Sequence, residues 1–305
     1  PISQAMIPVN DWGLLHSDIT YDDVPVIDGA FIRFDEYLAR FLSSMENLHL
    51  DPGMTKTDIQ KALRQKVGKS NLRDSYVAMV CSRGKPKIAG SRDPRDCGNH
   101  FFAWCVPYVH IIKPEIVEQG ATAWIAQNAY RIPENSVNPR VKNYHWGDFT
   151  QGIFEAKDKN YETVILLDYD GNVTEGPGFN VFAVKDKVLI TPDKGVLAGV
   201  SRKTVLEMAE HLGINTSVRS LNVEELLEAD EVFLSSSGGG VIPIIRVNET
   251  IFGNGASVPI SVQLNETYWK WTTLENSQAA NCHSAANHPS IASNWSLTSN
   301  GVETL

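Results

Sequence analysis

The sequence predicts an α+β protein in two domains. Three observations carry that reading. Apolar hairpin-like runs are mixed with amphipathic helices along the chain. The texture changes after Val106, where Pro107 and Pro114 break a crossing segment. The 305 residues suit one large or two medium domains. The composition agrees: 42% hydrophobic and 21% charged residues are ordinary for a globular chain with a sizeable core. A net charge of −9 argues against a nucleic-acid or anionic-membrane surface, but leaves room for one local phosphate pocket.

The elements follow in order. "FIRFDEYLARFLSSMENL" (31–48) opens as a strand and continues as a helix. Asp35 is its expected N-cap, and Leu38, Phe41, Leu42 and Met45 form its apolar face. Residues 54–67 read as a second helix. "DSYVAMVCSRG" and "HFFAWCVPYV" read as strands around an exposed polar loop, "RGKPKIAGSRDPRDCGN". In the second half, "TAWIAQNAYRI", "TVILLDYDG", "NVFAVKDKVLI" and "EVFLSSS" read as strands, and "GDFTQGIFEAKDKN", "SRKTVLEMAEHLG" and "VEELLEADE" as helices. Gly213 is the expected stop of the middle one. The expected division is 1–106, a linker at 107–114, a second domain at 115–275 and a polar, poorly ordered tail at 276–305. The four cysteines form no CxxC pair and read as reduced thiols rather than a disulfide framework. No apolar run reaches the ~20 residues of a membrane span. No signal peptide is visible, and a cytosolic location is expected; Pro1 in place of Met leaves the start of the chain open.

Four stretches offer chemistry, and each has a plainer alternative. Lys142, in "NPRVKNYHWGD", sits among Tyr144, Trp146 and Val141; it is a nucleophile desolvated by aromatic neighbours, or a lysine snorkelling at a strand edge. Glu175, in "GNVTEGPGFN", follows a turn and precedes a Gly-Pro-Gly bend. It is a carboxylate facing a cavity and able to accept a proton from a ring nitrogen, or a surface turn residue. Val200 and Ser201 follow Gly199 at a helix start; they make an anion site, or Ser201 simply caps the helix. "FLSSSGGGVIPI" (233–244) is a hydroxyl-rich nest for an oxyanion, or a flexible loop. It has no GK[ST], and the chain has no GxGxxG. A nucleophilic lysine, a ring-nitrogen partner and two anion sites are together the requirements of pyridoxal 5′-phosphate.

In their order and content, "DWGLLHSDITYD", "FDEYLARFLSS", "VKNYHWGD", "TEGPGFNVF", "LAGVSRKTV" and "SSSGGGVIPI" resemble the fold-type IV pyridoxal-phosphate aminotransferases. That class IV group includes branched-chain and D-amino-acid aminotransferases, (R)-selective amine transaminases and aminodeoxychorismate lyase. The resemblance covers roughly residues 5 to 272. It implies a two-domain fold with the active site between the domains, and a homodimer. It implies Lys142 as the Schiff-base lysine and proton carrier, Glu175 on the pyridinium nitrogen, and Arg40, Val200, Ser201 and Ser237 on the phosphate. Periodicity alone makes Arg40 a solvated helix arginine, opposite Leu38, Phe41 and Leu42.

"HSDITYD", "KNYHWGD" and "SSSGGGVIPI" most resemble the (R)-selective amine transaminases. That implies a substrate pocket with His16, Tyr21, Asp23, Phe102 and Trp146. Some of those enzymes bind a substrate carboxylate through a loop arginine; the matching position here is Ala89, with Lys87 and Arg92 nearby. Asp23 stands where the group has an apolar residue, which favours polar substrates or a narrower range. Ser replaces Thr at 201 and 237 and keeps the hydroxyl. The implied activity is ping-pong transfer of an amino group from an (R)-amine, or a D-amino acid, to a keto acid such as pyruvate. The alternatives within the fold are a D-amino-acid or branched-chain aminotransferase, then aminodeoxychorismate lyase. The partners expected are the small amine and keto acid alone, with no metal, nucleic acid or membrane.

Overall fold

The computed structural model describes residues 2–255, 259–284 and 303–304. These divide into two units. The first holds the described parts of Pro1–Tyr108, Val141–His145 and Thr272–Leu305; the second holds those of Val109–Arg140 and Trp146–Trp271. Lys142 therefore belongs with the first unit. The expected division at 106 and 115 placed it with the second. The reason is local pairing, described below, which draws residues 141–145 onto a strand of the first unit.

Unit 1 begins with a short helix, α1 (Trp12–His16), whose cap Asp11 accepts the Gly13 N–H at 2.7 Å. Then come β1 (Ile19–Ile27), β2 (Ala30–Phe31), α2 (Phe34–Asn47), α3 (Lys56–Ser70), β3 (Ser75–Pro86) and β4 (Cys97–Pro107). The strands form an antiparallel sheet in the order β2-β1-β3-β4, and Glu303–Thr304 pairs on the outside of β2. Its register is the key to the site. Tyr21 lies opposite Val80, and Val80 opposite Phe102; Asp23 lies opposite Ala78, and Ala78 opposite Trp104. Alternation along a strand then puts Tyr21, Asp23, Phe102 and Trp104 on one face. Asp22, Met79 and Phe101 take the other, where α2 packs and the Phe41 and Phe101 rings meet at 6.2 Å.

Of the expected apolar face of α2, Leu38, Phe41 and Met45 are buried and Leu42 only partly; α3 buries Ile59 and Leu63. Leu38→Ala is expected to cost about 2–5 kcal/mol in denaturant unfolding, the range for an emptied core leucine. The caps differ from each other. α3 carries a capping box of Thr55 and Asp58. α2 is capped by Arg33 in the left-handed region (φ 50°), and the expected cap, Asp35, lies within the first turn instead, where its charge meets the helix dipole. The polar loop is also shorter than expected. β3 runs to Pro86 and β4 starts at Cys97. Arg83 is 8% exposed, because its guanidinium is taken up by Asp18 (2.8 Å) and the His49 carbonyl (2.8 Å).

Unit 2 contains α4 (Pro114–Gln119), β5 (Ala121–Tyr130), α5 (Gly147–Asp158), β6 (Thr163–Leu167), β7 (Glu175–Gly176), β8 (Phe179–Lys185), β9 (Val188–Thr191), α6 (Val200–His211), β10 (Thr216–Val218), α7 (Val223–Leu227), β11 (Glu231–Ser236), β12 (Gly240–Val247) and β13 (Thr250–Ile251). The sheet order is β10-β9-β8-β11-β12-β5-β6, with β7 added to β8 and β13 to β12. "NVFAVKDKVLI" is two strands rather than one. Asp186 (φ 49°) and Lys187 (φ 63°) form the left-handed pair of a two-residue hairpin. The core includes Val181, Ala183, Val232, Leu234, Ile242 and Ile244, drawn from the central strands.

A last helix, α8 (Pro259–Ser284), continues past 275, where composition suggested that the tail begins. Alanine and glutamine at 278–280 have good helix propensity, which a count of Ser and Asn hides. Residues 285–302 and 305 of the expected tail lie outside the described residues. Cys81, Cys97 and Cys105 are free thiols, and burial pushes the Cys81 thiol up to about 12, so it is inert. Among the described residues no helix is long and apolar enough to cross a membrane.

Candidate active site

In unit 1 the site is built on an extra edge of β1. Asn143 bridges antiparallel to Thr20. Thr20 Oγ1 donates to the Lys142 carbonyl at 2.6 Å, the Tyr21 N–H reaches the same carbonyl at 3.4 Å, and the Lys142 N–H donates to Ser44 Oγ at 3.3 Å. Asn143 closes its own turn on Val141 and His145. With Asn143 opposite Thr20, alternation places Lys142 and Tyr144 on the face of Tyr21 and Asp23. The distances agree. Lys142 Nζ lies 4.1 Å above the Tyr21 ring and 3.9 Å from Asp23 Oδ2, and Tyr144 stacks on Tyr21 at 4.2 Å.

Burial of Lys142 pulls its pKa down, as the aromatic surroundings suggested. Tyr21, Asp23 and Asp22 outweigh burial, however, and the net direction is upward. The expectation of an amine made neutral by desolvation alone is therefore corrected: these acidic neighbours favour the ammonium. Asp22 is fully buried and holds Arg40 through two bonds, Nε at 2.8 Å and Nη2 at 2.7 Å. This corrects the periodicity reading of Arg40, whose side chain is 13% exposed and not solvated. His16 is exposed at the end of α1, its ring edge-on to Trp12 at 4.8 Å. Phe102 shares the Tyr21 rung of the sheet, and Trp104, two residues on, extends the aromatic wall at 6.0 Å. Trp104 was findable from the period of two; Asp22 was visible only as a charge inside a strand.

In unit 2, Glu175 is 5% exposed and not the surface turn residue of the plainer reading. Its carboxylate accepts from the Leu197 N–H at 2.8 Å, from Arg131 Nε at 3.2 Å and from Asn180 Nδ2 at 3.4 Å. Arg131 also donates to Asp148 at 2.6 Å and lies over the Phe149 ring at 4.4 Å. Asp148 in turn accepts the Ile132 N–H at 3.0 Å. This buried Asp148–Arg131–Glu175 chain fixes where the Glu175 carboxylate points. Trp146 heads α5 and meets Phe149 edge-on at 5.5 Å.

Hydrogen bonds tie three sequence motifs of unit 2 together. Asn180 Nδ2 donates to the Leu197 carbonyl at 3.0 Å, and Ser236 Oγ donates to the Gly178 carbonyl at 2.8 Å while accepting the Gly238 N–H at 3.0 Å. Gly199 is the N-cap of α6, so Ser201 does not cap it, and no side chain caps the helix through a hydrogen bond. Val200 and Ser201 are the first two residues of that helix, their N–H groups directed outward from its positive end. The Ser201 hydroxyl is buried, 3.5 Å from Tyr268 Oη. A Cβ on Gly199 would fall 2.2 Å from Asn180 Oδ1, so only glycine fits there. Ser237 lies in the turn between β11 and β12. Ser235 Oγ, opposite Asn180 in the sheet register, is buried without a hydrogen-bond partner.

These groups fit pyridoxal phosphate. A part-buried lysine amine, a fixed buried carboxylate, an uncapped helix start and an orphaned buried hydroxyl suit a phosphorylated nitrogen heterocycle that bonds covalently to an amine.

The family model "Amino-transferase class IV" matches residues 20–247, and the chain belongs to that family. It is a pyridoxal-phosphate-dependent transaminase of fold type IV. It is 29% identical to a putative branched-chain-amino-acid aminotransferase of Methanocaldococcus jannaschii over 87% of this chain and 90% of that one. It is 27% identical to the D-alanine aminotransferase of Bacillus licheniformis over 90% and 93% respectively. The branched-chain aminotransferase of Escherichia coli shares its fold with a TM-score of 0.83 at 24% identity, covering 88% of this chain and 90% of that one.

Proposed function

We propose that the chain is an (R)-selective amine transaminase, taking the amino group of an (R)-amine or a D-amino acid and delivering it to a keto acid such as pyruvate, as a homodimer. The observation that carries this reading is the face of Tyr21, Phe102 and Trp104 that Lys142 shares: an aromatic wall beside the reactive amine, with a carboxylate and no arginine on it. An aryl or alkyl amine finds stacking surface on this face. The likeness to a D-alanine aminotransferase supports the same stereochemical side.

The roles then follow from the chemistry of each residue. When bound, pyridoxal phosphate supplies an aldehyde that captures amines and a ring that acts as an electron sink. Lys142 Nζ would be the covalent anchor and, as the free neutral amine, would take the proton from the substrate carbon. Tyr21 and Ser44 hold it, the first through its ring and the second through the Lys142 backbone N–H. Glu175 accepts the hydrogen bond of the protonated ring nitrogen, its carboxylate aimed by Arg131 and Leu197. Val200, Ser201 and Ser237 bind phosphate oxygens, and Arg40 adds a guanidinium that Asp22 orients. His16 and Trp146 complete the proposed pocket. Gly199→Ala is expected to weaken cofactor affinity at least about tenfold, since its methyl displaces Asn180 beside the phosphate-binding helix start; equilibrium dialysis of the cofactor measures it.

The test is the visible spectrum of the cofactor-loaded protein with each enantiomer of phenylethylamine. Loss of the visible band with the (R) form alone is expected. Loss with L-leucine and not with either enantiomer or D-alanine would overturn the stereochemical reading and favour the branched-chain alternative, which the relatives' names also support. Pyruvate release without an added keto acid would instead mark a lyase.

A further inference from the structure

Asp22 and Asp23 are adjacent carboxylates with opposite situations. Asp22 is fully buried and both its oxygens are held by Arg40, so it orients the arginine. Asp23 lies on the other face, its side chain 34% exposed, and its counter-charge is the Lys142 ammonium at 3.9 Å. Tyr21 lies two residues before it on the same face, with Tyr144 stacked on that ring at 4.2 Å. Trp104 occupies the Asp23 rung two strands away. A carboxylate beside stacked aromatic rings is the arrangement that receives an organic cation, through an ion pair at one end and ring faces along its flank.

The position of Asp23 poses a chemical difficulty that such a cation resolves. Lys142 takes a proton from the substrate only as the neutral amine. Burial, and to a lesser extent Arg40, opposes its ammonium form, while Tyr21, then Asp23 and Asp22, favour it. A second positive charge on the substrate, seated against Asp23, cancels the largest carboxylate contribution and releases the lysine toward its neutral form. One contact would thus bind the substrate and ready the base.

We propose that Asp23 is a specificity-determining residue that recognises a second cationic group on the amine donor, so that short diamines and basic amino compounds are preferred over neutral-tailed amines. The proposal rests on the transaminase reading above. The 3.9 Å between Nζ and Oδ2 sets the geometry: the second cation must sit one short alkyl spacer from the reacting nitrogen.

The test compares putrescine with n-butylamine, which differ only in the terminal ammonium, with pyruvate as acceptor. The expected kcat/KM ratio is at least about tenfold in favour of putrescine, the lower end for a hydrogen bond between charged groups. In Asp23→Asn the ratio falls to near one, and Asp23→Glu restores part of it. A second readout needs no turnover. In the cofactor-free protein, NMR titration of isotope-labelled lysine is expected to show the Lys142 ammonium titrating lower in Asp23→Asn than in the parent. A parent enzyme that turns over butylamine and putrescine equally overturns the proposal and leaves the transaminase reading standing. An unmoved Lys142 titration also overturns it. Failure with every amine, phenylethylamine included, overturns the proposed function instead.

Discussion

Lys142→Ala is expected to abolish transamination, with kcat falling by at least about four orders of magnitude, because covalent attachment and proton transfer both depend on one amine. Borohydride treatment of the cofactor-loaded parent should fix the cofactor's mass to the peptide containing Lys142, and the variant should show no such adduct. The loss should not reflect unfolding. Thr20, Ser44 and Tyr21 hold the segment through the Lys142 backbone, contacts that the substitution leaves in place. Near-parental unfolding with no activity is therefore the expected pair of results. An adduct at another lysine would remove Lys142 from the mechanism.

The largest stability effect is expected at Arg131, a residue that sequence reasoning passed over. Its guanidinium joins Asp148 and Glu175, and all three side chains are 6–8% exposed. Arg131→Ala strands two buried carboxylates and should cost about 3–5 kcal/mol, read from urea midpoints. Arg131→Lys keeps the charge but loses the fork that spans both partners, and should recover only part of the loss. The same variants bear on the cofactor. If Glu175 serves the ring nitrogen, Arg131→Lys should weaken cofactor binding more than its stability loss explains, because the Glu175 carboxylate is no longer aimed. A fully stable Arg131→Ala protein would show the chain of charges to be solvated and would undo both expectations.

What could be read beforehand followed from local rules. The helical face of Leu38 and Phe41, the turn before Glu175 and the glycine at 199 are each set by neighbours a few residues away. Lys142 and Glu175 stood out as charges among apolar and glycine-rich surroundings. The residues that missed notice act across distance. Asp22 and Arg40 are 18 positions apart, and Arg131 and Glu175 are 44 apart. Neither pair leaves a periodic trace. Arg40 was misjudged from periodicity because that rule asks which side of a helix is greasy, whereas a buried carboxylate can draw an arginine inward from the polar side. The pull of Asp23 on Lys142 also needed the strand register, which one residue of slip would have reversed.

The five residues 141–145 have a further consequence for how the chain can be divided. They cover the edge of β1 at Thr20 and Tyr21, although their sequence lies between two stretches of the other unit. A fragment ending at Tyr108 would leave that edge with open backbone donors and acceptors, an invitation to pair with a second fragment. It should therefore self-associate, and a synthetic peptide of residues 138–148 added in trans should suppress the association by taking the vacant lane. The reactive lysine thus doubles as part of the guard that keeps its own domain from polymerising.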